Sequence, residues 1–152
     1  MGLTIAHQLI ERKIAKNIII LDKEPKLGLH SSGRNSGVLH AGIYYEPNSL
    51  KAKVCISGAG RLKEWIKSKK LRINNCGKLI IPQKGSLDPQ LDNLFMRGKK
   101  NGASVELINE VEIRKIAPYA NITSGRALWS PNTSVINPLE IIKKLREDIE
   151  LK

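Results

Sequence analysis

The stretch Asn17-Ile18-Ile19-Ile20-Leu21-Asp22 decides the expected fold of this chain of 152 residues. A continuous run of apolar, mostly β-branched residues is typical of a strand that is buried on both faces, as in a parallel sheet. Residues 2–13, which precede it, space their apolar side chains by three and four positions and therefore predict a helix. A helix followed by a central strand predicts the second half of a βαβ unit whose first strand the chain lacks.

Capping residues and short apolar runs predict the remaining elements. The expected starts of four further helices are Pro47-Asn48-Ser49, Asp88-Pro89, Asn109 and Asn137-Pro138. Asp88 is expected to cap its helix with Pro89 at the first helical position. Asn109 and Glu112 have the spacing of a capping box, and their helix is expected to end at Pro118. The expected strands are residues 76–82, 105–108, 127–129 and 135–136.

The composition is that of a globular protein with a surplus of basic residues. Lys and Arg number 26 against 14 Asp and Glu, a net charge of +12, and hydrophobic residues make up 41%. No apolar run approaches the roughly 20 residues that a membrane span needs, and no secretory signal follows the first residue. Aromatic residues are only 4% and Lys outnumbers Arg, so we expect no nucleic-acid partner. A cytoplasmic location is expected.

The cysteines and histidines do not predict a metal site. Cys55 and Cys76 lie far apart in the sequence and form no CxxC pair. With three His in the whole chain, we expect no metal centre and two reduced thiols.

Residues 22–47 predict a long loop that carries chemistry. The loop contains four glycines, and long loops inside compact domains are usually functional. Asp22 follows the expected strand, where a dinucleotide-binding unit places an acidic residue against the ribose hydroxyls. The alternative for Asp22 is an ordinary turn residue. Ser31, Ser32 and Arg34 offer donors for an anionic pyrophosphate, and the alternative there is a solvated flexible loop.

The second half of this loop resembles a known family. The run Asn35-Ser36-Gly37-Val38-Leu39-His40-Ala41-Gly42-Ile43-Tyr44-Tyr45 is similar to the L-2-hydroxyglutarate oxidase/dehydrogenase group of the FAD-dependent D-amino-acid-oxidase-like superfamily. The resemblance continues over nearly the whole chain. Its further matches are Pro47, residues 49–52, Cys55, residues 76–79, Arg97, Asn101-Gly102, residues 127–131 and residues 135–137.

The resemblance implies an α/β fold of two parts. One part is an incomplete FAD/NAD(P)-binding, Rossmann-like three-layer domain, formed by residues 1–68 and 137–152. The other is the first segment of an α+β substrate-binding domain with an antiparallel sheet, residues 69–136. The chain would then be an interior fragment of a longer enzyme. Only Gly2 would remain of the glycine-rich turn that binds the pyrophosphate, and Asn137 stands where related enzymes often have Asp.

The resemblance also implies roles for particular residues. The residues expected to contact FAD are Gly2, Asp22, Lys23, Ser31, Ser32, Arg34, Asn35, Ser36, Gly37 and Val38. His40 and Tyr44 are the expected catalytic residues, which would face the substrate carboxylates. The alternatives are a structural hydrogen bond from His40 in the core and simple packing of Tyr44 beneath the loop.

The implied activity is oxidation of L-2-hydroxyglutarate or a similar 2-hydroxy acid, with hydride transfer to the flavin. The partner would be a small 2-hydroxy dicarboxylate. The basic surplus favours either this dicarboxylate or contact with an anionic membrane that carries quinone, at the periphery of the inner membrane. One alternative is an inactive remnant of such an enzyme. Another is an oxidase of the same superfamily that acts on an amino acid or glycerol phosphate.

Overall fold

The computed structural model describes residues 1–150, which form helices around two small sheets. The α-helices are α1 (Gly2–Glu11), α2 (Leu50–Ser68), α3 (Pro89–Lys100), α4 (Glu110–Ile116) and α5 (Pro138–Glu150). The strands are β1 (Val38–Leu39), β2 (Ile73–Asn74), β3 (Lys78–Ile80), β4 (Glu106–Asn109), β5 (Arg126–Ser130) and β6 (Ser134–Ile136). A 3-10 turn, Gly85–Leu87, precedes α3.

The strands form two antiparallel sheets of three strands each. The first sheet has the order β1-β6-β2, with Val38 opposite Val135 and Ile73 opposite Ile136. The second sheet has the order β3-β5-β4, with Leu79 opposite Trp129. The first sheet therefore joins the glycine-rich loop, through β1, to the chain that leads into α5.

The second sheet is covered on both faces. Side chains alternate between the faces of a strand, so Leu128 and Ala127 of β5 enter different clusters. The α3-side cluster consists of Leu128, Ile43, Leu91, Ala103 and Val105. The α4-side cluster consists of Ala127, Ile108 and Ile113. Burial of each large apolar side chain contributes about 1.5–3 kcal/mol, so these two clusters are the main stabilising core.

Asp88 lies at the predicted N-cap position of α3, but its side chain does not cap the helix. Helix α3 begins at Pro89 as expected, but the Asp88 side chain makes no capping hydrogen bond. Its carboxylate instead accepts hydrogen bonds from Arg126, whose Nε lies 2.9 Å from both oxygens. Arg126 also reaches Asp92, with an Nη2–Oδ2 distance of 2.6 Å. A long-range ion pair has taken the carboxylate away from the local cap and joins β5 to α3.

The other predicted caps are confirmed. The Ser49 hydroxyl accepts the N–H of Ala52 at 3.1 Å and caps α2. Asn109 and Glu112 form a reciprocal capping box at the start of α4. The Asn137 side chain accepts the N–H of Leu139 at 3.0 Å at the start of α5.

The predicted strand at residues 18–21 is wrong for this chain. These residues have no strand hydrogen bonds within residues 1–150, and the side chains of Ile19 and Leu21 are 87% and 89% exposed. An extended segment becomes a strand only when another strand supplies its hydrogen bonds. The physical reason is therefore the lack of a neighbouring strand among the described residues.

Helices α1 and α5 pack together beside this segment. Asp148 of α5 is buried, and its carboxylate lies 2.6 Å from Lys69 Nζ and 3.3 Å from Lys144 Nζ. His7 of α1 is buried next to the same carboxylate, at 3.8 Å. These charges connect α1 and α5 to the end of α2.

Candidate cofactor cavity and candidate substrate cluster

A cavity of about 400 Å³ lies between the start of α1, residues 20–22, the glycine-rich loop and α5. Ligand pockets commonly measure about 300–1,000 Å³, so its size suits part of a cofactor. The predicted FAD contacts that line it are Gly2, Asp22, Ser32, Asn35, Gly37 and Val38. The predicted contacts that do not line it are Lys23, Ser31, Arg34 and Ser36. The folded chain thus collects the first set in one place although they are spread over residues 2–38.

Helix α1 directs its N-terminus at this cavity. Its N-cap residue is Met1, and no side chain provides a capping hydrogen bond. The first backbone N–H groups of a helix, together with its dipole, favour an anion such as a pyrophosphate. Gly2 lets the helix approach Ile20 closely, since an added Cβ would lie 3.3 Å from Ile20 Cγ2. The start of the helix therefore fits the role that the sequence predicts for Gly2.

Asp22 has a turn role and also faces the cavity. Its Oδ1 accepts the backbone N–H of Glu24 at 3.0 Å, which is the turn bond expected of the alternative interpretation. The carboxylate remains exposed at the cavity edge, where its other oxygen can accept a ribose hydroxyl. The two interpretations are compatible.

Three glycines of the loop lie in tight backbone contacts, while the side chains of Ser31, Ser32 and Arg34 are exposed. Gly28 and Gly37 have positive φ angles of 75° and 68°. A Cβ on Gly33 would collide with the carbonyl oxygen of Gly28, and one on Gly37 would collide with that of Ile136. The loop can fold this closely onto itself and onto β6 because these positions lack side chains.

The side chain of Asn35 holds the loop together. Its Nδ2 donates to the carbonyl oxygens of Ser31 and Ser32, at 2.9 and 3.0 Å. Its Oδ1 accepts the N–H of Gly37 at 2.9 Å. Asn35 therefore shapes the cavity wall, and its amide is already engaged in the loop.

Lys23 and Arg34 do not line the cavity. Lys23 Nζ lies 3.9 Å from Glu24, whose carboxylate also contacts His30 Nε2 at 2.8 Å. Arg34 is exposed, and within residues 1–150 its guanidinium has no ion pair. Direct contacts from these two side chains to FAD stay predictions.

His40 and Tyr44 lie together in a second cluster. Their ring centroids are 6.2 Å apart, with the rings at 76° to each other. Lys78 of β3 completes the cluster, because its Nζ lies 4.6 Å from the centroid of the Tyr44 ring. The Tyr44 side chain is half exposed, so the cluster is open to solvent. We refer to His40, Tyr44 and Lys78 as the substrate cluster.

The surroundings of His40 favour its neutral form. Burial, and secondly the positive charge of Lys78, lower the pKa of His40 below its ordinary value. The alternative role of the imidazole was a structural hydrogen bond, and His40 forms none with any residue among 1–150.

The Cys55 thiol donates to the backbone carbonyl of His40 at an S–O distance of 3.6 Å. Burial raises the pKa of Cys55, so this thiol stays protonated and anchors the loop.

Helix α3 positions the loop that carries Tyr44. Asn101 Nδ2 donates to the carbonyl oxygens of Gly42 and Tyr45, each at 2.8 Å. Arg97 donates to the carbonyl oxygen of Tyr44 at 3.1 Å and pairs with Glu46 at 3.5 Å. The family resemblance includes Arg97 and Asn101 but implies no role for them.

The sequence does not identify Lys78 as a site residue, although the motif around it is part of the family resemblance. The preceding Gly77 has a φ of 68°, and a Cβ there would collide with the Trp129 ring. The Cys76-Gly77-Lys78-Leu79 motif therefore fits its glycine against the indole and sets the start of β3. The sequence signal that could have identified Lys78 is that Gly77 and Trp129 both lie in stretches that match the family.

No metal site emerges from the part of the chain that the structure describes, since no three His, Cys, Asp or Glu side chains form a metal-binding group there. Cys55 and Cys76 are free thiols.

The family model described as FAD dependent oxidoreductase matches residues 1–152. The chain belongs to this family. The expected fold class, an incomplete FAD-binding α/β fold, is confirmed by this match and by the solved structures below.

Among curated proteins, the chain is similar to mitochondrial L-2-hydroxyglutarate dehydrogenases. It is 40% identical to that of Caenorhabditis briggsae over 99% of the chain, which covers 34% of the relative's length. It is 36% identical to that of Homo sapiens over 99% of the chain and 32% of the relative's length. The chain thus spans about a third of the length of these relatives, and the predicted resemblance is confirmed.

Two solved structures share the fold. Dithionite-reduced L-α-glycerophosphate oxidase from Mycoplasma pneumoniae with FAD bound gives a TM-score of 0.82 at 25% identity, over 99% of this chain and 40% of that one. Glycine oxidase from Bacillus cereus ATCC 14579 gives a TM-score of 0.76 at 20% identity, over 98% and 40%. The second likeness concerns the fold alone.

Proposed function

We propose that this chain forms the FAD-binding wall and part of the substrate site of an enzyme that oxidises L-2-hydroxyglutarate or a similar 2-hydroxy acid. The observation that carries the proposal is the cavity at the α1 N-terminus, which gathers Gly2, Asp22 and Gly37 from distant parts of the sequence. Its donors and close backbone approach suit the pyrophosphate and ribose of FAD. The named activity of the dehydrogenase relatives supports the substrate class.

We assign different roles to the residues of the substrate cluster. When bound, the flavin supplies the acceptor for the hydride from the hydroxyl-bearing carbon. A neutral imidazole can accept the proton of the 2-hydroxyl on a ring nitrogen, and the lowered pKa of His40 keeps it in that form at neutral pH. The Tyr44 hydroxyl can donate to a substrate carboxylate. Arg97 and Asn101 act as positioning residues, since they hold the backbone of the Tyr44 loop.

The domain division also belongs to this proposal. Residues 1–68 and 137–152 would serve FAD, and residues 69–136 would serve the substrate. The position of the cavity between α1 and α5 supports the first assignment, and the position of Lys78 beside Tyr44 supports the second.

Titration of FAD with the chain, followed by flavin fluorescence, tests the cofactor step. We expect binding by the wild-type chain and a loss of about tenfold in affinity for Asp22→Asn, because a charge-assisted hydrogen bond to ribose becomes a neutral one. Glu106→Gln is the matched control, since Glu106 is an exposed carboxylate on β4 that does not line the cavity. Equal affinity for both variants would contradict the role of Asp22, and no flavin binding would favour an inactive remnant.

Substrate profiling of flavin reduction tests the second step. We expect bleaching of the flavin band with L-2-hydroxyglutarate. Bleaching with an amino acid or glycerol phosphate in its place would assign the chain to a different branch of the family.

Contact with a membrane surface is a further part of the proposal. Within residues 1–150, none of the helices is both long and apolar enough to cross a bilayer. The net charge of +12 supports peripheral attraction to anionic lipid, where quinone could receive electrons. We propose a cytoplasmic protein that associates with the inner membrane in this way. Sedimentation with vesicles of anionic and of neutral lipid checks this, and equal binding to both would contradict it.

A further inference from the structure

Strand β3 directs Lys78 towards the loop that carries His40 and Tyr44. Its neighbours Leu79 and Ile80 pack against the α4-side and α3-side clusters, respectively. Because side chains alternate along a strand, Lys78 shares the α3 side with Ile80. Ile43 of the loop lies on that same side, and Lys78 Nζ accordingly rests 4.6 Å from the Tyr44 ring centroid.

The charge of Lys78 is not balanced by a carboxylate. Within the described chain, Lys78 forms no ion pair, and its ammonium group lies over the face of the Tyr44 ring. In contrast, Lys69 and Lys144 both pair with Asp148. A cation held beside an aromatic ring is only weakly compensated, so an anion that enters the cluster gains from it.

The groups that face His40 come from three elements. Lys78 reaches it from β3, Tyr44 from its own loop, and Cys55 from α2. The only charged group among them is the Lys78 ammonium. His40 is therefore held beside a positive charge, which an anionic ligand would neutralise.

We propose that Lys78 binds a carboxylate of the substrate, next to Tyr44 and His40. The proposal rests on the proposed function and names the cation that selects an acidic substrate for the same site. Tyr44 contributes its hydroxyl to the same carboxylate, and the ring face keeps the lysine side chain extended over the cluster. The site then prefers hydroxy acids to neutral alcohols through one identified ammonium group.

Binding of L-2-hydroxyglutarate, followed by the imidazole NMR signals of His40, tests this proposal. For Lys78→Gln we expect the dissociation constant to rise about tenfold or more, as for the loss of one charge-assisted hydrogen bond. Lys78→Arg should restore most of the affinity. Lys99→Gln is the matched control, because Lys99 Nζ also lies over an aromatic ring, 5.5 Å from the Phe95 centroid, away from the cluster.

The pH titration of His40 gives a readout that catalysis does not influence. Because Lys78 lowers the pKa of His40, Lys78→Gln should raise it, whereas Lys99→Gln should leave it unchanged. Lys78→Gln should also bind FAD like the wild type. If the wild-type chain does not bind FAD, the proposed function fails, and this result says nothing about Lys78. Unchanged hydroxyglutarate affinity in Lys78→Gln, or no effect of the acid on wild-type His40, would overturn the role of Lys78.

Discussion

Residues 127–129 and residues 18–21 are both short apolar runs, but only the first is a buried strand. Ala127 and Leu128 are 0% exposed, whereas Ile19 is 87% exposed. Strand β5 has β3 and β4 as hydrogen-bonded neighbours and a side-chain cluster on each face. Residues 18–21 have no such neighbours in the described chain. The comparison teaches that an apolar run defines a candidate strand, and its partners decide whether it becomes one.

The largest expected effect is the loss of stability when a side chain of the α4-side cluster is truncated. Ile113→Ala should lower the free energy of unfolding by about 2–5 kcal/mol, because it leaves a cavity beneath the second sheet. Ile19→Ala removes the same atoms from an exposed position and should change it by less than about 0.5 kcal/mol. Denaturant unfolding of both variants measures the difference. Similar losses would mean that residues 18–21 are packed like the core, which would contradict the difference between the two runs.

A smaller loss of stability is expected at Asn101, through which α3 holds the loop of the substrate cluster. Asn101→Ala removes two hydrogen bonds to the loop and should cost about 1–3 kcal/mol in unfolding free energy. Asn93→Ala is the control, because Asn93 lies on the same helix and contributes no hydrogen bond to that loop. Amide exchange at residues 42–45 should quicken in Asn101→Ala alone. Equal exchange in the two variants would contradict the positioning role.

The smallest effect concerns the partly exposed ion pairs of Arg126 with Asp88 and Asp92 at low pH. Hydrogen bonds from Arg126 lower the pKa of Asp88 and of Asp92. A lowered folded-state pKa contributes stability above the unfolded value of about 4, and this contribution is lost as pH falls through the folded-state pKa. The urea midpoint of the wild type should therefore decrease on acidification more steeply than that of Arg126→Gln. Parallel curves would show that the pairs contribute no pH dependence.

Local signals in the sequence predicted most helix starts correctly. Ser49, Asn109 and Asn137 cap helices through bonds that span two or three residues, so neighbouring sequence contains all the necessary information. Asp88 lies at the predicted N-cap position, but its carboxylate bonds to Arg126, 38 positions away, and not to the helix start.

In the candidate site, too, the sequence predicts some residues, and others depend on how the chain packs. The resemblance identified the loop and its glycines, and the fold brought Gly2, Asp22 and Gly37 to one cavity. Lys78 could not be found from local sequence, since its contact with Tyr44 depends on how β3 packs beside the loop. Lys23 and Arg34 lie in the predicted segment but do not line the cavity, so their contacts with FAD stay predictions.

Hydrogen–deuterium exchange of the 152-residue chain, with and without FAD, tests the central claim most directly. The account predicts that β5 is protected in both states, because its core is complete without a ligand. Residues 1–4, 20–22 and 28–37 should gain protection when FAD is added, since these segments contain residues that line the cavity. Unchanged exchange in these segments, or a gain confined to other parts of the chain, would contradict the assignment of the cavity to the cofactor.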